Sequence, residues 1–333
     1  MLPDKISISV LIPIRNEAGN LPRCLASVAW ADEVVVVDSQ STDGSVALAE
    51  AAGARVVQFQ FNGTWPKKKN WALENIPFRH EWVLILDADE VMPPGAAAEI
   101  GALVAPNLPA TTGVAGPAGY WINRRFMFMG GWLRHAYYPN WNLRLFRHRL
   151  GRYAQLVQGA TESGDNEVHE HIVVAGPTDR LRCEMDHFAF PSIAVFVEKH
   201  NRYSNWEARL ELEEGLQTGG PILQSSAVHF RRRLKRWSRR LPFRPTLRFL
   251  YVYVLQRGFL DGARGYYFAR LHAFYEFMSV AKAAELRLPR VAVSPVPPAV
   301  VPDFRRIESD VGGVPALHRL GEGGPSPRIV EGG

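Results

Sequence analysis

The chain has 333 residues, 47% of them hydrophobic, which is enough for one large domain or one domain with an appendage. Two cysteines, Cys24 and Cys183, exclude a disulfide framework and suit a reducing compartment. The net charge of +6 is uneven: residues 1–110 hold 8 basic and 13 acidic residues, a net of −5, so the rest carries +11.

The opening MLPDKISISVLIPIRNE lacks a long apolar core and a small-residue cleavage site, so no signal peptide is expected. ISISVLIPI (6–14) reads as a strand, and AGNLPRCLASVAW places Leu21, Leu25 and Val28 at helical spacing. EVVVVD (33–38) is a second buried strand. STDGSVALAEAAGA then offers Ser41 or Thr42 as a helix cap and Gly53 as a stop. ARVVQFQF (54–61) is a third strand, KKKNWALENI (67–76) a helix and EWVLILD (81–87) a fourth strand. PPGAAAEIGALVA starts a further helix at Pro93 or Pro94. Strands alternating with helices imply a parallel sheet covered on both faces, with ligands beyond the carboxyl ends of the strands.

That rim is rich in acids. Asp38 ends the second strand, and Asp87 and Asp89 end the fourth in LILDADE; Pro13, Arg15, Asn16 and Glu17 follow the first. Strand alternation would put Asp87 and Asp89 on one side of the chain. Two neighbouring carboxylates repel, and Mg²⁺ or Mn²⁺ would relieve the repulsion. The plainer alternative is a solvated strand end feeding a turn. Other familiar motifs are missing: there is no G-x-G-x-x-G after the first strand, no G-x-x-x-x-G-K-[ST], no G-x-S-x-G and no H-E-x-x-H.

SVLIPIRNEAGNLPRCLASV, DEVVVVDSQSTDGSVALAEAAGARVV and WVLILDADE closely resemble the family 2 glycosyltransferases over about residues 6–100. A looser likeness continues through GYWINRRFMFMGGWLRH, NEVHEHIVV and KHNRYSNWEA to GFLDGARGYYFARLHAFYEFMSVAKAAE, resembling the bacterial lipopolysaccharide core and exopolysaccharide branch. The resemblance implies an α/β, GT-A type, Rossmann-like and mostly parallel sheet with helices on both faces. It also implies inverting transfer of a hexose from a nucleotide sugar, UDP-glucose by default, to a glycan or lipid-linked acceptor. Pro13, Arg15 and Glu17 would line the nucleotide pocket, and Asp38 would hold the base. Lys69, with Asn70 beside it, would approach the nucleotide, while Asp87 would face the ribose and metal region and Asp89 would bind the metal.

An inverting transfer needs a base for the acceptor hydroxyl. The Glu-Asp pair and Q-x-x-R-W motif of the larger synthases are absent, so the base is sought in GDNEVHEHIVV, at Glu170. An ordinary charged edge strand is the alternative there. His187 in EMDHF is a candidate metal or phosphate ligand, or a structural histidine. Lys199, Arg202 and Tyr203 could meet phosphate or form a solvated helix face, and most aromatics of 119–148 read as core, with one or two facing the acceptor.

Residues 1–190 are expected to form the catalytic domain, 191–288 a helical membrane-associating region and 289–333 a Pro/Gly-rich disordered tail. Residues 229–248 hold nine basic residues and no acid, with Phe230, Leu234, Trp237 and Leu241 on one helical stripe, which suits an anionic membrane surface. The expected location is cytoplasmic, peripheral on the inner face of the bacterial cytoplasmic membrane, with no nucleic acid as partner. The competing readings are a nucleotidyltransferase acting on sugar phosphates and an RNA-binding protein using the basic segment.

Overall fold

The computed structural model describes residues 5–105, 116–154, 171–214 and 243–288. Four parallel strands form one half of the main sheet: β1 (Ile6–Ile14), β2 (Ala31–Asp38), β3 (Arg55–Gln58) and β4 (Trp82–Ile85), in spatial order β3-β2-β1-β4. Helices α1 (Leu21–Ser27), α2 (Ser45–Ala51), α3 (Lys68–Asn75) and α4 (Ala96–Val104) connect and follow them. Both faces of this half are covered, as strand alternation requires. Ile8, Val10, Ile12 and Leu84 join one core with Leu21, Leu25 and Ile100. Leu11, Val35, Val37, Val83 and Ile85 join the other with Ala72 and Leu73 of α3 and Ile76 just after it.

The sheet then becomes mixed. Beyond β4 lie β8 (Trp141–Arg147), β6 (Gly119–Phe128), β11 (Thr178–His187) and β5 (Glu90–Val91), with the short β7 (Gly131–Trp132) paired to β6. β4–β8, β8–β6 and β11–β5 are antiparallel, whereas β6–β11 is parallel. β9 (Gly151–Tyr153) and β10 (Ile172–Val174) form a separate ribbon. The β6–β11 register breaks between Arg180 and Glu184, and Glu99 of α4 fills the gap by accepting the Arg182 and Cys183 N–H groups at 2.6 and 2.8 Å.

Three expectations need correction. Neither Ser41 nor Thr42 caps α2: the helix starts after Gly44, and Ser41 is tied to Asp38 instead. The third strand stops at Gln58 rather than 61. The fourth stops at Ile85, so strand alternation does not govern Asp87 and Asp89.

The C-terminal part is helical: α5 (Ile193–Glu214), α6 (Arg244–Leu250), a π-helical turn (Tyr251–Leu255), a 3₁₀ turn (Gly258–Asp261) and α7 (Gly262–Arg287). These pack on the far end of β6, where Phe126 and Phe128 meet Phe196 of α5 and Phe268 of α7. Tyr120, Phe126 and Phe128 are core, as the aromatic pattern suggests, while Trp121, Trp132, Tyr138 and Trp141 are half-buried. Gly265 allows α7 to touch the 3₁₀ turn, since a Cβ there would lie 1.8 Å from the Gly258 carbonyl oxygen.

Asp261, only 3% exposed at its side chain, fastens the helices to the turn that follows β7. Its carboxylate accepts the N–H groups of Arg134, His135 and Ala136 at 2.9, 3.0 and 2.8 Å. Asp261→Ala would strand three backbone donors beside a packed core. The expected loss is about 3 kcal/mol, read as a lower midpoint in urea by circular dichroism.

No described helix is long and apolar enough to cross a membrane. Residues 229–242 of the basic segment and the tail 289–333 lie outside the described residues.

Candidate active site

The turns that leave β1 and β2 are sewn together. The Asn16 N–H donates to Ser41 Oγ (2.8 Å), the Asn16 Oδ1 accepts the Thr42 N–H (2.9 Å), and Ala18 and Glu17 donate N–H groups to Asp43 and Ser45 (3.0 and 2.9 Å). Asn16 adopts a positive φ of 55° in making this turn, a conformation asparagine tolerates better than most residues. Pro13 is accommodated inside β1 because β4 pairs only with Ser9 to Leu11, so no ladder donor is missed on that side.

Asp38 is 1% exposed, and its carboxylate accepts the Ser41 N–H (3.0 Å) and hydroxyl (2.5 Å). It therefore shapes the turn after β2; a carboxylate has further acceptor capacity for a base N–H. Arg15 is exposed, and Glu17 is half-buried and accepts from Asn20 Nδ2 at 2.9 Å. Burial pushes the Glu17 carboxyl up, and the Asp89 and Asp87 charges act in the same direction.

After β4 the chain makes a tight turn over Asp87–Glu90. The Glu90 N–H donates to the Asp87 carbonyl (2.9 Å), and the Asp87 N–H donates to Glu90 Oε2 (2.9 Å). This turn sends the two aspartates to different partners, replacing the arrangement expected from an extended strand. Asp87 meets Lys69 Nζ at 2.8 Å and Arg144 Nη2 at 2.7 Å. The same Arg144 nitrogen reaches Glu90 at 2.7 Å, and Arg124 adds a contact to Glu90 at 3.2 Å. Burial pushes the Asp87 carboxyl up, but Arg144 and Lys69 overcome it and hold it well below the ordinary carboxylate range. The charge of Asp87 is thus balanced by side chains. Asn70 takes a structural role, exchanging two hydrogen bonds with the Tyr153 backbone at 2.9 and 2.8 Å.

Asp89 faces His187 at the end of β11, with Oδ1 and Nε2 3.6 Å apart. Burial raises its carboxyl, yet His187 and the Lys199 charge keep it below its usual value. A gap of 3.6 Å is too long for a hydrogen bond. It is close to the separation of about 3 Å between adjacent ligands of a cation bound at 2.0–2.1 Å. No cluster of three or more His, Cys, Asp or Glu ligands occurs among the described residues. One carboxylate with one imidazole fits Mn²⁺, which accepts a nitrogen donor, better than the oxygen-preferring Mg²⁺; phosphate and water would complete the shell.

α5 closes one side. Lys199 is half-buried and donates to the Ala189 carbonyl at 3.2 Å, and Tyr203, its phenol pushed up by burial and by Asp89 and Asp87, lies near the acids. Arg202 instead points to solvent, 3.6 Å from Glu198. Glu170, Glu167 and Asp165 lie outside the described residues.

Arg144 and Arg124 were not among the residues singled out from the sequence, and Glu90 had no role there beyond being the third acid of LILDADE. A signal existed for the first. Arg144 interrupts the apolar strand Leu143–Phe146, and a buried guanidinium demands buried carboxylates.

Residues 9–125 match the family described as Glycosyl transferase family 2. Over that segment the chain is similar to family 2 glycosyltransferase domains, and its relatives carry glycosyltransferase names, which supports transferase activity. It is 28% identical over 284 residues to an uncharacterized glycosyltransferase of Rickettsia bellii, covering 84% of this chain and 87% of that one. It is also 28% identical over 296 residues to the lipopolysaccharide core biosynthesis glycosyltransferase LpsC of Rhizobium meliloti, covering 85% and 93%. Among solved structures, the mannosyltransferase PcManGT of Pyrobaculum calidifontis aligns with a TM-score of 0.44 at 16% identity, covering 86% of this chain and 89% of that one.

Proposed function

We propose that the chain transfers a hexose, with inversion, from a nucleotide sugar to a glycan or lipid-linked acceptor in lipopolysaccharide or exopolysaccharide biosynthesis. UDP-glucose is the first donor to test. The observation that carries the reading is the convergence, on one rim, of the turns after β1, β2 and β4 with the Asp89–His187 pair. The likeness to LpsC over most of both chains supports the class of acceptor.

Each group has a task. The joined turns with Pro13, Arg15 and Glu17 receive the nucleotide, and Asp38 offers its remaining acceptor capacity to a base N–H. Lys69 and Arg144 fix the Asp87 carboxylate toward the ribose side. Asp89 and His187 would hold Mg²⁺ or Mn²⁺, with Asp87 beside them. A cation bound there supplies charge stabilisation to the departing nucleoside diphosphate. Glu170 takes the proton of the attacking acceptor hydroxyl.

Product analysis separates this reading from its rivals. A free nucleoside diphosphate marks sugar transfer, pyrophosphate marks nucleotidyl transfer, and neither product marks a binding module. The match to a glycosyltransferase family favours neither rival. Asp38→Ala is expected to weaken UDP affinity more than turnover at saturating donor, because the base contact is equal in ground and transition states. An unchanged UDP dissociation constant would remove Asp38 from the pocket.

The base has its own test. Glu170→Gln preserves size but removes basicity, so kcat should fall by about 10²–10⁴-fold while UDP affinity stays near wild type. Near-normal turnover with a dead Glu167→Gln or Asp165→Asn would move the base to that neighbour. Activity in all three would place it elsewhere.

A further inference from the structure

An amphipathic stripe in the C-terminal helices faces the wrong way for a core. Leu247, Leu250, Tyr251, Val254 and Leu255 recur at helical spacing from α6 into the π-helical turn, and they are between 42% and 74% exposed. Phe259 and Leu260 extend the patch on the 3₁₀ turn and are about half exposed. The opposite side of the same segment already has its core: Val252 is buried, and Phe249 and Tyr253 pack against it. The stripe is therefore not a mispacked helix but a second apolar face, larger than the scattered surface apolar residues of an ordinary monomer.

The charge around it has one sign. Between residues 243 and 275 the sequence has five arginines and one acid, Asp261. Asp261 is buried and committed to the 134–136 backbone. Arg244 is committed to Glu276 and Glu211 at 2.6 and 2.8 Å. Arg257 is exposed and lies in the chain between Leu255 and Phe259, and Arg248 lies 5.8 Å from the Tyr251 ring, while Arg264 and Arg270, also exposed, are held by the Met129 carbonyl (3.1 Å) and over the Phe249 ring (5.1 Å). In sequence, the ten residues 231–240 just before the stripe add seven more basic residues.

An apolar stripe rimmed by arginine matches the interface of an anionic bilayer, where apolar side chains enter the headgroup boundary and basic ones meet phosphate. We propose that Leu247–Leu260 is a monotopic membrane-docking surface, which seats the protein on anionic lipid without a spanning helix. A protein partner would be expected to need acidic or polar rim groups that the stripe itself does not select. Lipid requires only the pairing of apolar area with positive charge that is present here.

The test uses the full chain and vesicles of phosphatidylcholine, alone or mixed equally with phosphatidylglycerol. Wild type should float with the anionic vesicles only and be released by added salt. The double variant Val254→Glu, Leu255→Glu should lower partitioning by about 100-fold, at roughly tenfold for each apolar side chain kept out of lipid. Its circular dichroism should be unchanged, because both positions are exposed. Leu255→Trp should show indole emission that shifts to the blue on adding anionic vesicles and is quenched by lipids brominated near the headgroup. Vesicle binding by the double glutamate variant at wild-type strength would overturn the proposal. So would indole emission that is already blue without vesicles and does not respond to them, the sign of a face covered by the chain itself or by a second copy.

Discussion

Asp89→Asn is expected to cost about 10³-fold in kcat at saturating donor, with the fold retained. The carboxylate sits on a turn at the rim, facing His187, and contributes nothing to either core of the parallel half. Asparagine keeps the shape but removes the charge that would hold a divalent cation, and the loss of one preorganised electrostatic element is typically worth about 10²–10³-fold. EDTA should reproduce the defect in wild type, and Mn²⁺ or Mg²⁺ should reverse it. In the variant neither ion should restore turnover. Full activity of Asp89→Asn in EDTA would remove the metal from the mechanism.

Arg144→Met should act on stability first. Arg144 is 7% exposed, and it bridges Asp87 to Glu90, whose side chain is fully buried. Among the described residues, removing the guanidinium leaves Arg124 as the ion-pair partner of Glu90, which keeps the Asp87 N–H, and Lys69 as that of Asp87. Breaking a buried pair in this way costs about 3–5 kcal/mol, or roughly 10 °C in midpoint for a domain of this size. The pH dependence follows from the depressed Asp87 carboxyl. Its stabilising contribution is present above the ordinary carboxylate value and is lost as pH falls through the lower folded value. The gap between variant and wild type in urea should therefore be widest near neutral pH and close on acidification. A gap independent of pH would mean that Arg144 acts by packing its stem rather than by its charge. Adding Glu90→Gln to Arg144→Met should recover part of the loss, since the unpaired buried charge is then gone.

The first four strands and their helices were legible because each strand is a short apolar run bounded by turn residues, and each helix carries its own spacing. The clustering of Asp38, Asp87 and Asp89 at one rim followed from a parallel sheet alone. Local detail did not follow. Ser41 has the chemistry of a helix cap, but the buried Asp38 carboxylate at the end of β2 competes for it and wins. Asp87 and Asp89 look paired in an extended chain, but the reciprocal bonds between Asp87 and Glu90 turn the backbone and divide them. That turn is stabilised by Arg144 and Arg124, which come from strands more than thirty residues later in the chain. No local pattern reports such a contact; only the burial of a charged residue in NLRLF hints at it. Strand pairing β4–β8–β6–β11–β5 has the same character, because non-local order is decided by which edges remain to be covered.

The central claim is that Asp89 and its rim bring a divalent cation to a nucleoside diphosphate. Calorimetric titration of UDP, with GDP as comparison, in the presence of Mn²⁺ and then of EDTA tests it most directly. Wild type should bind one of the two nucleotides, tightly with Mn²⁺ and weakly without it, and Asp89→Asn should bind weakly in both conditions. Binding of equal strength with and without Mn²⁺, unchanged in Asp89→Asn, would contradict it.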